Sequence, residues 1–341
     1  MDFRLSDDQR AVQTAMRELL AAHFPREKLR QVVDAGEQDQ GFDRALWHEL
    51  GKAGFFSLRL PEKDGGAGLG LPEAVLLFEE AGRALLAGPL VATHLAAGVV
   101  PGAAEGTAVV TALDRPGMVG HLAAADAVLL LDGPAPRILR TGGEEALKVL
   151  AARPVRSVDP ATPLHHIERL SPLPGATPLS DAGDAARLRR EAALLTAAEQ
   201  LGSALRTLEM AVRHVKNRSQ FGRPIGAFQA VQHLCARMLV RTELARSSVY
   251  AASPAITVSD TWAAKVLSDE AAVRNARDCL QLHGGTGFTW EAEVHLHLKR
   301  AWLRLEHWQT PADGEEALAA ALLDGSENCS TEIANHPNGA T

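Results

Sequence analysis

Two short segments carry the residue types that could hold a phosphorylated, aromatic ligand. The first is RSQFGRPIGAFQAVQH, from Arg218 to His233, and the second is QLHGGTGFTWE, from Gln281 to Glu291. Arg218 offers a planar guanidinium, which suits a diphosphate. Phe221 offers a face for an aromatic ring. Gln229 and Gln281 are amides able to read adenine or ribose edges. Gly284, Gly285 and Gly287 permit positive φ and close backbone approach to a ligand. Singly, each has a plainer explanation. An arginine at a helix end is usually a solvated charge, and a Gly-Gly-x-Gly turn is usually a helix stop. The joint pattern, about sixty residues apart with helices between, makes coincidence a poor account.

The elements that must position these residues are helical. Alanine and leucine dominate the 341 residues and aromatics make up 4%, a bias toward helix over sheet. Leu188, Leu195, Ala198, Leu201, Leu205, Leu208, Val212 and Val215 recur at helical spacing. A helix over 184–217 would be about 50 Å long. GRPIGAFQ breaks it, and further helices are predicted over 227–251, 259–283, 291–306 and 313–323. Together they make a C-terminal four-helix bundle over 184–325. The first hundred residues also read as helices, over 7–22, 43–53, 72–86 and 89–99. Ser6 with Gln9 forms a capping box for the first of these. Between them, 101–183 reads as a small β-rich domain. TAVVTAL, AVLLLDG, RILRT and LKVLAA are its expected strands, and 153–181 is expected to be loop-rich. The polar end, 326–341, is expected to be a disordered tail.

Composition excludes several function classes. A net charge of −7 gives no reason to expect nucleic acid. No apolar run is long enough for a membrane span, and MDFRLSDDQR has no apolar signal region. Cys235, Cys279 and Cys329 have neither disulfide nor zinc spacing, so a reduced cytoplasmic home is expected. His165 and His166 have no partner ligands, and His295 and His297 point apart on a helix, so no metal is expected. GGAGLG follows no clear strand, which argues against a dinucleotide fingerprint.

Together the Arg218–His233 and Gln281–Glu291 segments resemble the acyl-CoA dehydrogenase family. LSDDQRAV and LPEKDGGAGLG resemble that family's helical N-terminal domain. The resemblance implies a mainly α fold: a helical N-terminal domain (1–100), a reduced β-rich middle domain (101–183) and the four-helix bundle. It implies FAD as cofactor and α,β-dehydrogenation of an acyl-CoA, with a carboxylate removing the α-proton. In the family these motif positions face the FAD of a neighbouring subunit. Carried over, Arg218, Phe221 and Gln229 approach its pyrophosphate and adenosine, and Gln281, Gly284 and Gly285 line the same half.

Two departures shape the functional expectation. VVTALDRPGMVGHL stands where the family has a Thr-Glu-Pro segment that contacts the flavin ring. LRLEHWQTPADG stands where the family carries its catalytic glutamate, and Gln309 falls nearest that position. A glutamine cannot take a proton. Glu306, three residues earlier, is one alternative base. Glu191 is another, about one residue from the place where a minority of the family puts its base. The pattern resembles the shorter subunits of actinobacterial α2β2 enzymes acting on steroid side chains. It implies a longer homologue as partner subunit and an electron-transfer acceptor. Two other readings remain: a self-sufficient homo-oligomer with a displaced glutamate base, and a non-catalytic scaffold.

Overall fold

The computed structural model describes residues 5–36, 43–170, 173, 175–179 and 183–334. Helix α1 (Asp7–His23) starts at the Ser6–Gln9 capping box, with both reciprocal bonds at 3.1 Å. Helices α2 (Arg26–Ala35) and α3 (Arg44–Lys52) follow. The sequence reading places no helix at α2. Its short stripe of Leu29, Val32 and Val33 becomes decisive only when it joins the main core. Helix α4 (Leu71–Arg83) has proline in its first turn and α5 (Leu90–Ala96) completes the first layer.

The middle region forms two small sheets. Its elements are β1 (Val110–Leu113), β2 (Gly117–Gly120), β3 (Ala127–Leu130), β4 (Arg137–Leu139), helix α6 (Gly143–Val149), β5 (Arg153–Val155), β6 (Leu164–Ile167) and β7 (Ala176–Pro178). One sheet runs β1-β3-β4-β7 and the other β2-β6-β5. β1 and β3 are parallel, with Val110 opposite Ala127. The chain passes from one sheet to the other at Asp114–Pro116.

Two local expectations are corrected here. LKVLAA is not a strand, because its first residues close α6. Gly142 precedes that helix, Glu144 and Glu145 favour its first turn, and Ala146 packs into the core. The stretch 153–181, expected as loop, holds β5, β6 and β7. Leu164 and Ile167 of β6 are buried, but prolines on both sides disguise the pattern.

The bundle comprises α7 (Ala185–Asn217), the hairpin β8 (Ser219–Gln220) and β9 (Arg223–Pro224), α8 (Gln229–Ala252), α9 (Val258–His283), α10 (Val294–Leu305) and α11 (Pro311–Ala334). Asp184 caps α7 by accepting from the Ala186 amide. Helix α11 carries through Ser326–Ala334, part of the expected tail, with no glycine or proline there to stop it; residues 335–341 lie outside the described residues.

Helix α7 is the axis of the molecule, touching α4, α8, α9 and α10. Its crossing with α4 is backbone to backbone. A Cβ at Gly202 would lie 1.9 Å from the Glu79 carbonyl oxygen, and one at Gly82 would lie 2.0 Å from that of Glu199. These two glycines set the depth at which the N-terminal layer docks on the bundle.

Candidate active site

Helix α7 carries candidate chemistry at two separated places. Near its first third, a cavity of about 410 Å³ opens between the start of α5, the β1–β2 crossover, α7 and the end of α10. Leu90, Leu113, Leu303 and Trp308 supply apolar wall. Among the described residues, the carboxylates lining it are Asp114, Glu199 and Glu306. A cleft of this size and mixed lining suits a small ligand.

Glu199, Arg300 and Arg304 of the lining belong to an ion-pair network that continues behind the cavity. Arg304 donates to Glu199 at 2.7 Å. Lys265 bonds Asp269 and, at 3.1 Å, the Arg304 carbonyl. Gln200 donates to Asp269 at 2.9 Å. Arg300 reaches three regions at once: it bonds Asp159 from the middle region and the Leu86 carbonyl from the N-terminal layer, the latter at 3.0 Å. Burial pushes Asp159 up, but Arg300 and Thr162 outweigh it and hold the acid below the usual range. In the Glu199–Arg304 pair, burial outweighs mutual attraction. Glu199 is pushed up and Arg304 down. Burial also raises Asp114, and it pushes His307 down to about 4.

Glu306 and Glu191 are treated very differently. Glu306 ends α10 at the cavity lining, and its carbonyl accepts from Arg115 at 3.3 Å. Glu191 is not among the lining residues. Its carboxylate is held by Arg59 at 2.7 Å and by Arg187 at 3.0 Å. Burial raises its pKa, but the two arginines prevail and keep it low. Gln309 is also absent from the lining, and its buried side-chain oxygen has no partner among the described residues. Trp308 donates to Thr196 at 3.0 Å across the cavity wall. Thr111 spends its hydroxyl on the Gly120 carbonyl at 2.8 Å, within its own crossover.

Glu199 and Arg304 escaped the sequence reading. One signal was present: Glu199 interrupts the most apolar stretch of α7, between LLTAA and LGSAL. A charge there must be paired on burial.

The second place is the far end of α7. Glu199 and Arg218 are nineteen residues apart, about 30 Å along a helix. Here the structure brings the ends of α7 and α9, which lead into the two motif segments, side by side. His214 of α7 stacks on His283 of α9 with ring centroids 4.0 Å apart. Arg218 ends α7, and Gln229 begins α8. Phe221 and Gly222 form the turn of the β8–β9 hairpin, both with positive φ, and Phe221 is 91% exposed. That pair of angles is a type I′ turn, which ordinarily takes Asn-Gly. Gln281, Gly284 and Gly285 are exposed on the adjoining surface. The side chains of Arg218, Gln229 and Gln281 make no hydrogen bond or ion pair among the described residues.

The glycines separate by role. Gly284 has a φ of 59° and needs its freedom for the turn. Gly287 is crowded, since a Cβ there would meet the His283 Cβ at 2.9 Å. Gly285 has neither constraint, with nothing within 4 Å of an added Cβ. The space above it admits a ligand, and Arg218 stands free for a phosphate.

Comparison with known proteins agrees with this architecture. The family model described as acyl-CoA dehydrogenase, C-terminal domain, matches residues 187–306. The corresponding N-terminal domain model matches residues 6–110. The chain is similar to acyl-CoA dehydrogenase IpdE2 of Mycobacterium tuberculosis (strain ATCC 25618 / H37Rv). The two are 36% identical over 273 residues, 77% of this chain and 82% of the relative. Among solved structures, a Tcur3481-Tcur3483 steroid ACAD variant superposes with a TM-score of 0.79 at 24% identity. That match covers 94% of this chain and 99% of the other. The ChsE4-ChsE5 complex from Mycobacterium tuberculosis gives 0.76 at 23% identity, covering 99% and 100%.

Proposed function

Since the chain belongs to the acyl-CoA dehydrogenase family, flavoprotein oxidoreductases acting on CH–CH donors, we propose that it works as one subunit of a heteromeric acyl-CoA dehydrogenase. In this reading it lends the adenosine and pyrophosphate half of an FAD site to a longer homologous partner. The observation that carries it is the distance between the two ends of α7. The outward-facing motif lies about 30 Å from the cavity, farther than an extended FAD reaches. The motif therefore serves a flavin whose ring sits in another chain.

The residues of the motif have separate tasks. Arg218 pairs with the diphosphate, Phe221 packs on the adenine, and Gln229 and Gln281 bond its polar edges. Gly284 and Gly285 let the backbone come close. The flavin, when bound, supplies the hydride acceptor. An exposed apolar stripe on α8, with Leu239, Val240 and Leu244 all about half exposed, supplies adjoining surface for the partner to cover. Two features favour a different chain over a second copy. Gln309 falls nearest the family's base position and does not line the cavity, and VVTALDRPGMVGHL stands where the family has its Thr-Glu-Pro segment. ChsE4-ChsE5, which shares the fold, is itself a complex of two chains.

The self-sufficient reading keeps one specific support, the presence of Glu306 and Glu199 in the cavity lining. Co-expression with a longer homologue, followed by flavin absorbance of the purified complex, separates the two. Flavin held by the complex and not by the chain alone supports the subunit reading. An isolated chain that binds FAD stoichiometrically and oxidises an acyl-CoA would end it. No helix among the described residues is long and apolar enough to cross a membrane.

A further inference from the structure

A second cavity, of about 350 Å³, lies at the other end of the polar seam between α7 and α10. Along α7 the seam runs Glu199, Ser203, Arg206, and along α10 it runs Arg304, Arg300, His297, Glu293. Residues of α1, the start of α2 and the end of α4 line its remaining sides. Its lining combines four arginines with an apolar wall of Leu20, Phe24, Leu29 and Leu85.

The charges do not balance. Glu80 is held by Arg17 through bonds of 2.6 and 3.0 Å. Glu293 is taken by Arg26 at 2.5 Å. Arg83 is occupied by Glu209 at 2.5 and 2.6 Å. Arg206 is left with distant oxygens of Glu209 and Glu293, each 3.8 Å away and each on a carboxylate already claimed. Glu79, on the same helix as Glu80, is not in the cavity lining and bonds Tyr250 and Gln13 instead. His297 lines the same space and is 2% exposed. Its Nδ1 bonds the Ser203 hydroxyl at 2.8 Å, which leaves Nε2 as the ring nitrogen for the cavity. Burial and the surrounding arginines keep that ring neutral.

We infer that this cavity is a binding site for a small organic acid, with the carboxylate on Arg206 beside His297 and the apolar body against Leu20, Phe24 and Leu29. A guanidinium fork without a close carboxylate is matched by a two-oxygen acceptor. A neutral imidazole next to it supplies a further hydrogen bond without charge repulsion. The apolar wall selects a carboxylate attached to hydrocarbon over a bare inorganic anion, which leaves that surface wet. The site is separate from the cavity at the β1–β2 crossover, and the inference stands whether or not the subunit reading holds.

Calorimetric titration of the full chain with octanoate, 1-octanol and inorganic phosphate tests it. Octanoate is expected to bind once, and more tightly than either of the others. Arg206→Gln is expected to weaken octanoate at least tenfold, with Arg206→Lys in between. Ala21→Trp, a substitution at an exposed position on the rim, is expected to block octanoate while leaving the thermal midpoint without ligand unchanged. Octanoate binding that ignores Arg206→Gln and Ala21→Trp would place the acid elsewhere, including in the first cavity, and overturns the inference. So does phosphate binding as tightly as octanoate, or the absence of octanoate binding at millimolar concentration.

Discussion

The two ends of α7 obey opposite rules. At the cavity end, buried charges find partners inside the chain, and Arg300 alone ties the bundle to both other regions. At the Arg218 end, an arginine, two glutamines and a phenylalanine stand exposed, and the chain itself gives the Gln281–Gly285 surface nothing to hold. A region whose buried charges are paired within the chain is built for stability and for shaping a cleft. A region that leaves its polar groups unmatched is built to be completed by something else. Substitutions at the cavity end are therefore expected to damage the isolated chain, and substitutions at the Arg218 end only what the chain binds.

The strongest break of the cavity end is at the α4–α7 crossing. Gly202→Val puts side-chain atoms where the Glu79 carbonyl lies, with backbone on both sides and no flexible group to yield. Loss of about 4 kcal/mol or more is expected, enough to leave no cooperative thermal transition by circular dichroism. A folded Gly202→Val chain with an unchanged midpoint would show that the two layers are not docked at this depth.

Next comes Arg300→Met. It strands Asp159 without its cation in a buried site, for which the usual cost is about 3–5 kcal/mol. Replacing both, Arg300→Met with Asp159→Leu, is expected to recover most of that loss. Chemical denaturation of the two variants measures the difference. If the double variant is no better than the single, Arg300 matters through its bonds to the Leu85 and Leu86 carbonyls.

Glu79 gives the comparison a pH axis. It accepts from Tyr250 at 2.8 Å and from Gln13 at 3.0 Å, joining α8 and α1 to α4. Burial leads the forces that raise its pKa from 4.5 to about 7. The folded chain thus holds this proton more tightly than the unfolded one. Its contribution is fully present below about pH 4.5 and is lost as pH rises through 7, amounting to roughly 3 kcal/mol in all. Glu79→Gln is expected to flatten that part of the profile and to be the more stable protein at pH 8. Equal stability of the two proteins across pH 5–8 would mean that the carboxyl ionises freely.

Much of this contrast was legible in the sequence, and unequally so. The Arg218 and Gln281 segments stand out because arginine, glutamine and clustered glycines are residue types that would suit a phosphorylated ligand. Helix α7 was equally plain, since thirty residues of unbroken periodicity admit no other element. Strand β6 was hidden because four residues between prolines carry too little pattern, and α2 because its stripe gains meaning only in the core. The Glu199–Arg304 pair was the hardest to see. Its members are 105 positions apart, and only the folded chain shows that each is the other's reason for being buried. The first residues proposed as bases illustrate the same limit. Periodicity places Glu191 on α7 but says nothing of Arg59, which reaches it from the N-terminal layer.

The smallest expected effect separates the two ends most cleanly. Phe221 occupies a left-handed position that a bulky side chain adopts at some cost, and Asn-Gly is the sequence such a turn favours. Phe221→Asn is therefore expected to raise the stability of the isolated chain by about 0.5–1 kcal/mol. The same change removes the aromatic face from the surface beside Arg218. In the complex with a longer homologue, flavin retained through gel filtration is expected to fall, as it should for Arg218→Ala, whose own stability stays within about 0.5 kcal/mol of the parent. A gain in stability with a loss of flavin means that the strain at Phe221 is maintained for binding. A chain that is stabilised and keeps its flavin would leave the turn as a local accident and remove Phe221 from the site.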